Sequence, residues 1–250
     1  YGLQIGYDHI AVARARGMGC KGSPIRALRR VAARRAALVF VPSLALAERW
    51  GLARDSAVRS RLVEMPNGVD AERFHPGAEP DPRAKGAVLY VGRFSPEKNL
   101  LRLAEACRLI GARLVCVGQG PLASRLRAAG AEIHGPVFNE TLSGWYAAAA
   151  CFALPSLTEG SPKALLEAAA CDLPCVVSDE VSRWAPNHVI GVNPMRTGDI
   201  ASGLRLAIQM RALGCQNTVL LERVRRDHDL RALLRREVAL VWEVARDHAR

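Results

Sequence analysis

The sequence predicts an α/β protein built on a parallel sheet, and two observations lead to this prediction. From residue 87 onward, short apolar runs rich in Val, Ile, Leu and Cys alternate with segments of helical periodicity. The apolar runs are hydrophobic throughout, which is typical of strands buried on both faces of a parallel sheet. Repeated β-α-β units of this length indicate a doubly wound sheet with right-handed crossovers.

Strands and helices are predicted to alternate along this region. Strands are expected at 87–92, 113–118, 131–135, 151–156, 174–179 and 188–193, and helices near 97–110, 120–129, 140–150, 162–171 and 199–213. Ligands of such sheets bind outside the carboxyl ends of the strands. Functional residues are therefore expected directly after the strands.

The residues before this region are predicted to form a second, partial unit. Strands are expected in LQIGY near the start and at 37–43, on either side of an arginine-rich helix. That helix is predicted to begin at Ser23 and Pro24, a favourable N-cap and first-turn pair, and to run to Leu38. The segment 63–77 indicates a strand end, a turn and a connector.

Three domain ranges follow from this organisation. Residues 1–84, which end in the proline-rich linker 76–86, are predicted to be a partial N-terminal domain. Residues 85–215 are predicted to be a complete Rossmann-like domain, and residues 216–250 to be closing helices.

The charge is unevenly distributed and indicates an anionic partner. The chain has a net charge of +11, and residues 1–50 hold nine cations and two acids, which gives +7 of that total. A lipid surface, a nucleic acid or a phosphorylated substrate would fit this charge. Aromatic residues make up 5% of the chain and do not interleave with the arginines, which argues against single-stranded nucleic acid.

Composition also argues against several other classes of protein. No apolar run approaches the roughly 20 residues of a spanning helix. The seven cysteines include no C-x-x-C pair, so a zinc ribbon or a thioredoxin-type site is not predicted. Four of the cysteines lie in apolar segments, where they are expected to be small core residues in a reducing cytosol.

The stretch VGRFSPEKN after the first strand of the second domain is a candidate anion site. Ser95 and Pro96 are predicted to begin a helix, and the N–H groups of a helix N-terminus can bind an anion. Arg93 and Lys98 add two positive charges there. The alternative is a solvated turn with ordinary surface cations.

Two further strand ends carry candidate residues. VGQGPL at 117–122 contains a Gly-x-Gly turn at Gly118, which either lets the backbone approach a ligand or is a plain turn. The stretch PSLTEGSPKALLEAAACDLPCVVSD then carries Glu159 and Glu167, with seven residues between them. Each carboxylate can accept hydrogen bonds from two adjacent hydroxyls of a sugar or a ribose. For Glu167 the alternative is a surface salt bridge with Lys163.

These stretches, together with MPNGVDAERFHP before them and HGPV between them, resemble the family-4 retaining glycosyltransferases of the GT-B fold. The resemblance covers residues 37–210 and is strongest over 155–179. It implies a GT-B-like chain with one complete Rossmann-type parallel-sheet domain at its C-terminal end. It also implies a partial N-terminal Rossmann-like domain, because residues 1–84 are about half as long as the first domain of the family.

The resemblance assigns roles to individual residues. Arg93 and Lys98 are expected to hold the donor diphosphate, and Glu159 is expected to face the donor sugar, so these three are the predicted catalytic residues. Glu167 is expected to bind the ribose hydroxyls. The full set of expected donor-binding residues is Gly92, Gly118, Gly135, Val137, Gly160, Ser161, Pro162, Lys163, Leu166 and Glu167, with the loop at 135–137 near the nucleobase.

The resemblance also implies a mechanism and a setting. The acceptor hydroxyl is expected to attack from the leaving-group face without a protein nucleophile, and a phosphate oxygen of the donor takes its proton. No metal and no cofactor are implied, and the donor is expected to be a UDP- or GDP-sugar. The acceptor is expected to be a glycan or glycolipid of the cell surface, such as lipopolysaccharide, glycosylated in the cytoplasm. Separately from the resemblance, the arginine-rich helix carries Arg26, Arg30 and Arg34 on one side, which is compatible with peripheral contact to an anionic membrane. The alternative is a solvated helix on the domain core.

Some features depart from the family or leave alternatives open. Asp172 stands where the family has glycine, at a position where Asp tolerates a left-handed conformation. The D-x-D spacing at 227–229 is typical of metal-dependent glycosyltransferases, but Asp229 is better explained as a helix N-cap. The alternatives are a non-enzymatic nucleotide-sugar-binding remnant and another GT-B enzyme, such as a sugar-nucleotide epimerase.

Overall fold

The computed structural model describes residues 2–4, 31–183, 185 and 188–248. The chain divides into two compact units. The first unit comprises Tyr1–Gly68, Gly160–Pro162 and His228–Arg250, and the second comprises Val69–Glu159 and Lys163–Asp227.

The first unit contains a parallel three-stranded sheet in the order β1-β2-β3. Its strands are β1 (Gly2–Gln4), β2 (Leu38–Val41) and β3 (Leu62–Glu64). The short helices α1 (Leu44–Arg49) and α2 (Ser56–Arg59) connect β2 to β3, and each begins at a side-chain cap. The caps are the Ser43 hydroxyl, which accepts from the amide of Leu46, and the Asp55 carboxylate, which accepts from the amide of Ala57.

The arginine-rich helix predicted from Pro24 to Leu38 is described only in part. Residues 31–35 are helical, whereas residues 24–30, which include Arg26 and Arg30, lie outside the described residues. The prediction that this helix extends to Leu38 is wrong, because Leu38 is the first residue of β2 and pairs with Gly2 of β1. The strand predicted at 37–43 is confirmed with narrower bounds.

The second unit contains a six-stranded parallel sheet in the order β6-β5-β4-β7-β8-β9. Chain connections run outward in both directions from the central pair β4 and β7, which makes this pair the topological switch point of the sheet. The strands are β4 (Val88–Val91), β5 (Leu114–Val117), β6 (Glu132–His134), β7 (Cys151–Leu154), β8 (Cys175–Ser178) and β9 (Ile190–Val192). All six predicted strands are confirmed with narrower bounds.

One helix follows each of these strands along the chain. These helices are α3 (Leu100–Leu109), α4 (Ala123–Ala128), α5 (Asn139–Ala148), α6 (Lys163–Ala170), α7 (Asp179–Ser182) and α8 (Thr197–Ala212). All residues of β5, β7 and β8 are buried, which explains why these strands lack an alternating pattern. Cys107, Cys116, Cys151 and Cys175 are buried free thiols, as predicted for core residues.

The predicted helix at 97–110 begins later than the sequence suggested. Pro96–Lys98 form a 3-10 turn, and Asn99 follows in the left-handed conformation with φ +57°. The α-helix then begins at Leu100. Ser95 is the N-cap residue and Pro96 the first residue, as predicted, but of this 3-10 turn rather than of the α-helix. The Ser95 hydroxyl donates to Glu97 and does not cap a backbone amide.

The two units divide at a different residue from the predicted domains. Val69 and Phe74 are buried in the large core of the second unit, so the segment after Gly68 packs with the second sheet. The C-terminal helix groups with the first unit. The ranges 1–84, 85–215 and 216–250 stay a prediction.

Two helices close the chain, α9 (Thr218–Asp227) and α10 (Leu230–His248). The carboxylate of Asp229 accepts a hydrogen bond from the amide of Ala232 at 2.7 Å, which confirms Asp229 as the N-cap of α10. Among the described residues, no helix combines the length and the apolar character that crossing a membrane requires.

Asp172 adopts the left-handed conformation expected at the end of α6. Its φ is +54°, and it is 9% exposed. Its carboxylate also accepts a hydrogen bond from the amide of Asn217 at 2.7 Å, and the side chain of Asn217 in turn accepts from the amide of Leu220 in α9. Asp172 therefore links the end of α6 to the start of α9, a contact that glycine could not make.

We expect Asp172→Ala to lower the free energy of unfolding by about 2–4 kcal/mol. The variant loses a charge-assisted hydrogen bond and places in the left-handed region a residue without the polar side chain that lets Asp adopt it, which together cost roughly this amount. Asp172→Gly should cost about half as much, because glycine relieves the backbone strain. Urea unfolding curves measure both values, and an alanine variant as stable as the glycine variant would contradict this account.

Candidate functional site

In the loop after β4, Lys98 lies on a 3-10 turn that hydrogen bonds of Glu97 hold in place. The hydroxyl of Ser95 donates to the carboxylate of Glu97 at 2.7 Å, and both residues are 1% exposed. The backbone carbonyl of Glu97 accepts a hydrogen bond from the amide of Leu157 at 2.8 Å. Because Leu157 belongs to the loop after β7, this bond joins the two loops at the switch point of the sheet.

Lys98 and Glu159 form an ion pair across these two loops. The ammonium Nζ of Lys98 lies 2.7 Å from Oε1 of Glu159, and the two side chains are 17% and 12% exposed. A partly buried pair is less screened by solvent than a surface pair. The structure therefore brings two of the three predicted catalytic residues into direct contact.

Arg93, the third predicted catalytic residue, lies on the same loop as Lys98. It is exposed, and its backbone carbonyl accepts a hydrogen bond from the hydroxyl of Tyr90 at 2.9 Å. Tyr90 is a buried residue of β4, and its bond holds the backbone at Arg93 against the end of the strand.

The glycines of the two loops after β4 and β5 allow close packing of one backbone against the other. Gly118 has φ +138°, and a Cβ added there would lie 2.0 Å from the carbonyl oxygen of Gly92. The amide of Gly92 donates to the carbonyl of Val117, and the amide of Phe94 donates to the carbonyl of Gln119. Close approach of the two loops therefore explains Gly118 without a ligand. At Gly92, which has φ +146°, an added Cβ would lie 2.9 Å from the hydroxyl of Tyr90.

Glu167 is held by a tyrosine rather than by a surface lysine. The hydroxyl of Tyr146, a buried residue of α5, donates to Oε2 of Glu167 at 2.8 Å. Burial raises the pKa of Glu167 above its ordinary value, although the hydrogen bond from Tyr146 and the charge of Lys163 act in the opposite direction. Within the part of the chain that the structure describes, no salt bridge joins Glu167 to Lys163.

The loop at 135–137 lies at the carboxyl end of β6. Gly135 is exposed, and Val137 packs against the large core. The ring of His134 lies 4.8 Å from that of Trp145, and the guanidinium of Arg83 lies 4.4 Å from the centre of the Trp145 ring. Aromatic and cationic groups thus support the loop predicted near the nucleobase.

Leu166 and Lys163 occupy opposite environments on α6. Leu166 is 3% exposed and packs in the core, so its side chain supports the helix. Lys163 is exposed at the first position of the helix. The expected contact of Leu166 with a donor stays a prediction.

Residues 160–162 are fixed by an asparagine that sequence reasoning missed. Nδ2 of Asn67 donates to the carbonyl of Ser161 at 2.6 Å, and the backbone carbonyl of Asn67 lies 2.8 Å from Nδ1 of His228. Pro162 has no N–H, so Gly160 and Ser161 supply the backbone donors of this loop. The position of Asn67 within the Asn-Gly pair of MPNGVD was the available signal, but its partner lies 94 residues away.

The described residues do not include a cluster of three or more His, Cys, Asp or Glu side chains that could hold a metal ion. Asp227 is paired with Arg226 and Asp229 caps α10, so structural contacts account for both carboxylates of the D-x-D stretch.

Comparison with known proteins relates this site to one enzyme family. Residues 85–205 match the family model described as Glycosyl transferases group 1, and all predicted site residues lie in this range. The UDP-Gal:alpha-D-GlcNAc-diphosphoundecaprenol alpha-1,3-galactosyltransferase of Escherichia coli is 34% identical over 142 residues, covering 48% of this chain and 37% of that protein. The GDP-mannose-dependent alpha-mannosyltransferase of Mycobacterium tuberculosis is 32% identical over 147 residues, covering 55% of this chain and 38% of that protein. The matched part therefore spans less than half of either relative.

Solved structures share the fold. Sucrose-phosphate synthase from Thermosynechococcus elongatus superimposes with a TM-score of 0.80 at 18% identity, covering 98% of this chain and 68% of that one. Anabaena Alr3699/HepE, solved in complex with UDP and glucose, gives 0.77 at 15% identity, covering 96% of this chain and 70% of that one. These likenesses confirm the predicted α/β fold of the GT-B type.

We expect Glu167→Gln to raise the melting temperature at neutral pH. The folded-state pKa of Glu167 is raised, so its charged form costs stability above that pKa, and the cost disappears as the pH falls below the unfolded-state pKa. Glutamine keeps an acceptor for Tyr146 without the charge. The gain should therefore be largest near pH 7 and shrink toward pH 4, and a gain independent of pH would contradict the assignment.

Proposed function

Because residues 85–205 belong to the glycosyl transferases group 1 family, we propose that this protein transfers a sugar from a nucleotide-diphosphate donor to a hydroxyl acceptor with retention of configuration. The observation that carries the proposal is the Lys98–Glu159 pair after β4 and β7. In this pair the ammonium of Lys98, which can bind a phosphate, lies next to the carboxylate of Glu159, which can bind sugar hydroxyls. Both lie at the carboxyl edge of the sheet, where sheets of this type bind ligands.

The donor is proposed to be a UDP- or GDP-sugar. The names of the relatives support both bases, since one uses UDP-Gal and the other depends on GDP-mannose. Lys98 and Arg93 would bind the diphosphate, and Glu167, oriented by Tyr146, would accept hydrogen bonds from the ribose hydroxyls. The loop at 135–137 would contact the nucleobase.

In the proposed reaction the protein orients the donor and stabilises charge. Glu159 would hold the sugar hydroxyls, while Lys98 and Arg93 would stabilise the negative charge that develops on the leaving diphosphate. The acceptor hydroxyl would attack from the leaving-group face and pass its proton to a phosphate oxygen. The carbon–oxygen bond to the diphosphate breaks as the new glycosidic bond forms.

The acceptor is proposed to be a surface glycan or glycolipid. The name of the E. coli relative includes a diphosphoundecaprenol-linked sugar, which supports a lipid-linked acceptor. Peripheral contact with an anionic membrane is proposed through Arg26, Arg30 and Arg34. Of these, Arg34 is described, and its guanidinium pairs with Asp55 at 2.7 Å, so this residue has a structural role as well.

Product analysis tests the proposed function against its alternatives. We expect incubation with UDP- and GDP-sugars and lipid-linked acceptors to release nucleoside diphosphate and form a glycosylated acceptor. NMR of the product should show that the anomeric configuration of the donor is retained. Glu159→Gln should lower turnover by about 100-fold, as loss of one transition-state contact does. A free altered sugar would indicate an epimerase, and binding without turnover would indicate a binding module.

We expect Lys98→Ala to weaken UDP binding far more than uridine binding. Loss of one desolvated charge contact should cost about 2–5 kcal/mol for the diphosphate, and uridine lacks the group concerned. Arg93→Ala should act in the same direction, whereas Lys85→Ala is a matched control outside the proposed site. Calorimetry measures both ligands, and equal losses for UDP and uridine would contradict a phosphate contact.

A further inference from the structure

Asn99 occupies an unusual position between the Lys98 turn and α3. It is one of two non-glycine residues with positive φ among the described residues, at +57°. Its amide donates to the carbonyl of Pro96 at 3.1 Å, which closes the 3-10 turn, and its carbonyl accepts from the amide of Leu103 at 3.2 Å at the start of α3. The left-handed conformation thus separates the turn from the helix and fixes the place of Lys98.

The side chain of Asn99 joins this turn to two other strand ends. Its Nδ2 donates to the carbonyl of Pro155 at 3.2 Å and to the carbonyl of Pro194 at 2.6 Å. Pro155 directly follows β7, and Pro194 lies two residues after β9. One amide group therefore ties together the loops that follow β4, β7 and β9 at the carboxyl edge of the sheet.

We propose that Asn99 is a positioning residue that holds Lys98 and Glu159 in register for the donor diphosphate. This inference rests on the proposed function. Lys98 directly precedes Asn99, and Glu159 lies four residues after Pro155 on the tied loop. The bond from Leu157 to the Glu97 carbonyl is a second tie between the same loops, so loss of Asn99 would loosen them without separating them.

The geometry explains why asparagine, rather than a similar residue, suits this position. Glycine accepts the left-handed backbone but has no amide group. Aspartate also tolerates this backbone, but its carboxylate would face two carbonyl oxygens with no hydrogen to donate. Asparagine combines the conformation with two N–H groups, one for each proline carbonyl.

Calorimetry with UDP and uridine, and with GDP and guanosine, tests this inference. We expect Asn99→Gly and Asn99→Asp to weaken binding of the preferred diphosphate about tenfold, the scale of a lost hydrogen bond, with aspartate the weaker binder. Nucleoside affinity should change less than twofold. Asn217→Ala is the control, because Asn217 also donates to a distant carbonyl, that of His188, outside the site. It should lower the melting temperature and keep the ratio of diphosphate to nucleoside affinity.

Hydrogen exchange of the ligand-free chain gives a second readout that does not depend on the proposed function. Asn99→Gly should speed exchange of the amides of Lys98 and Leu157, and Asn217→Ala should not. Unchanged exchange, or unchanged UDP and GDP affinity in Asn99→Gly, would overturn the inference. Failure of the wild-type chain to bind UDP or GDP, with faster exchange in Asn99→Gly, would overturn the proposed function and with it the role toward a diphosphate.

Discussion

The ion pair between Lys98 and Glu159 is the contact around which the candidate site is arranged. It joins the loops that follow β4 and β7. These are the two strands from which the chain adds further strands in opposite directions. Both strands lie at the centre of a six-stranded parallel sheet and pack into its core, so their carboxyl ends are supported from both sides. The partly buried pair then fixes the distance between a cation and a carboxylate that are proposed to bind different parts of one ligand.

The remaining site contacts depend on close approach of the same loops. Gly118 lets its backbone meet the carbonyl of Gly92 at a distance that no side chain would permit, and this brings the loop after β5 against the loop that carries Lys98. The charged form of Glu167 lowers the stability of the fold, because burial raises its pKa and the hydrogen bond from Tyr146 offsets only part of that rise. A carboxylate kept at such a cost is typical of a site selected for binding rather than for stability.

Much of the fold could be predicted from the sequence because the residue types of the strands indicate which of them are buried. Strands such as β5 and β7 are apolar throughout, and a parallel sheet is the structure that buries both faces. The left-handed conformation of Asp172 was also predictable, because few residue types tolerate it. The 3-10 turn at 96–98 was missed because Ser-Pro is a strong helix-start signal, and the backbone of Asn99 overrides it locally.

The partners of the site residues could not be predicted, because they come from distant parts of the chain. Glu167 was weighed against Lys163, four residues away, whereas its partner Tyr146 lies on another helix. Glu159 and Lys98 were each assigned to a ligand, and their mutual contact depends on the order of β4 and β7 in the sheet. The roles of these residues toward a donor stay a prediction.

A crystal structure of the chain with a bound nucleoside diphosphate tests the central claim most directly. The account predicts diphosphate oxygens within about 2.7–2.9 Å of Lys98 Nζ, the distance of a charge-assisted hydrogen bond, and ribose hydroxyls at the carboxylate of Glu167. A nucleotide bound elsewhere, with no ligand atom near Lys98, Glu159 or Glu167, would contradict it.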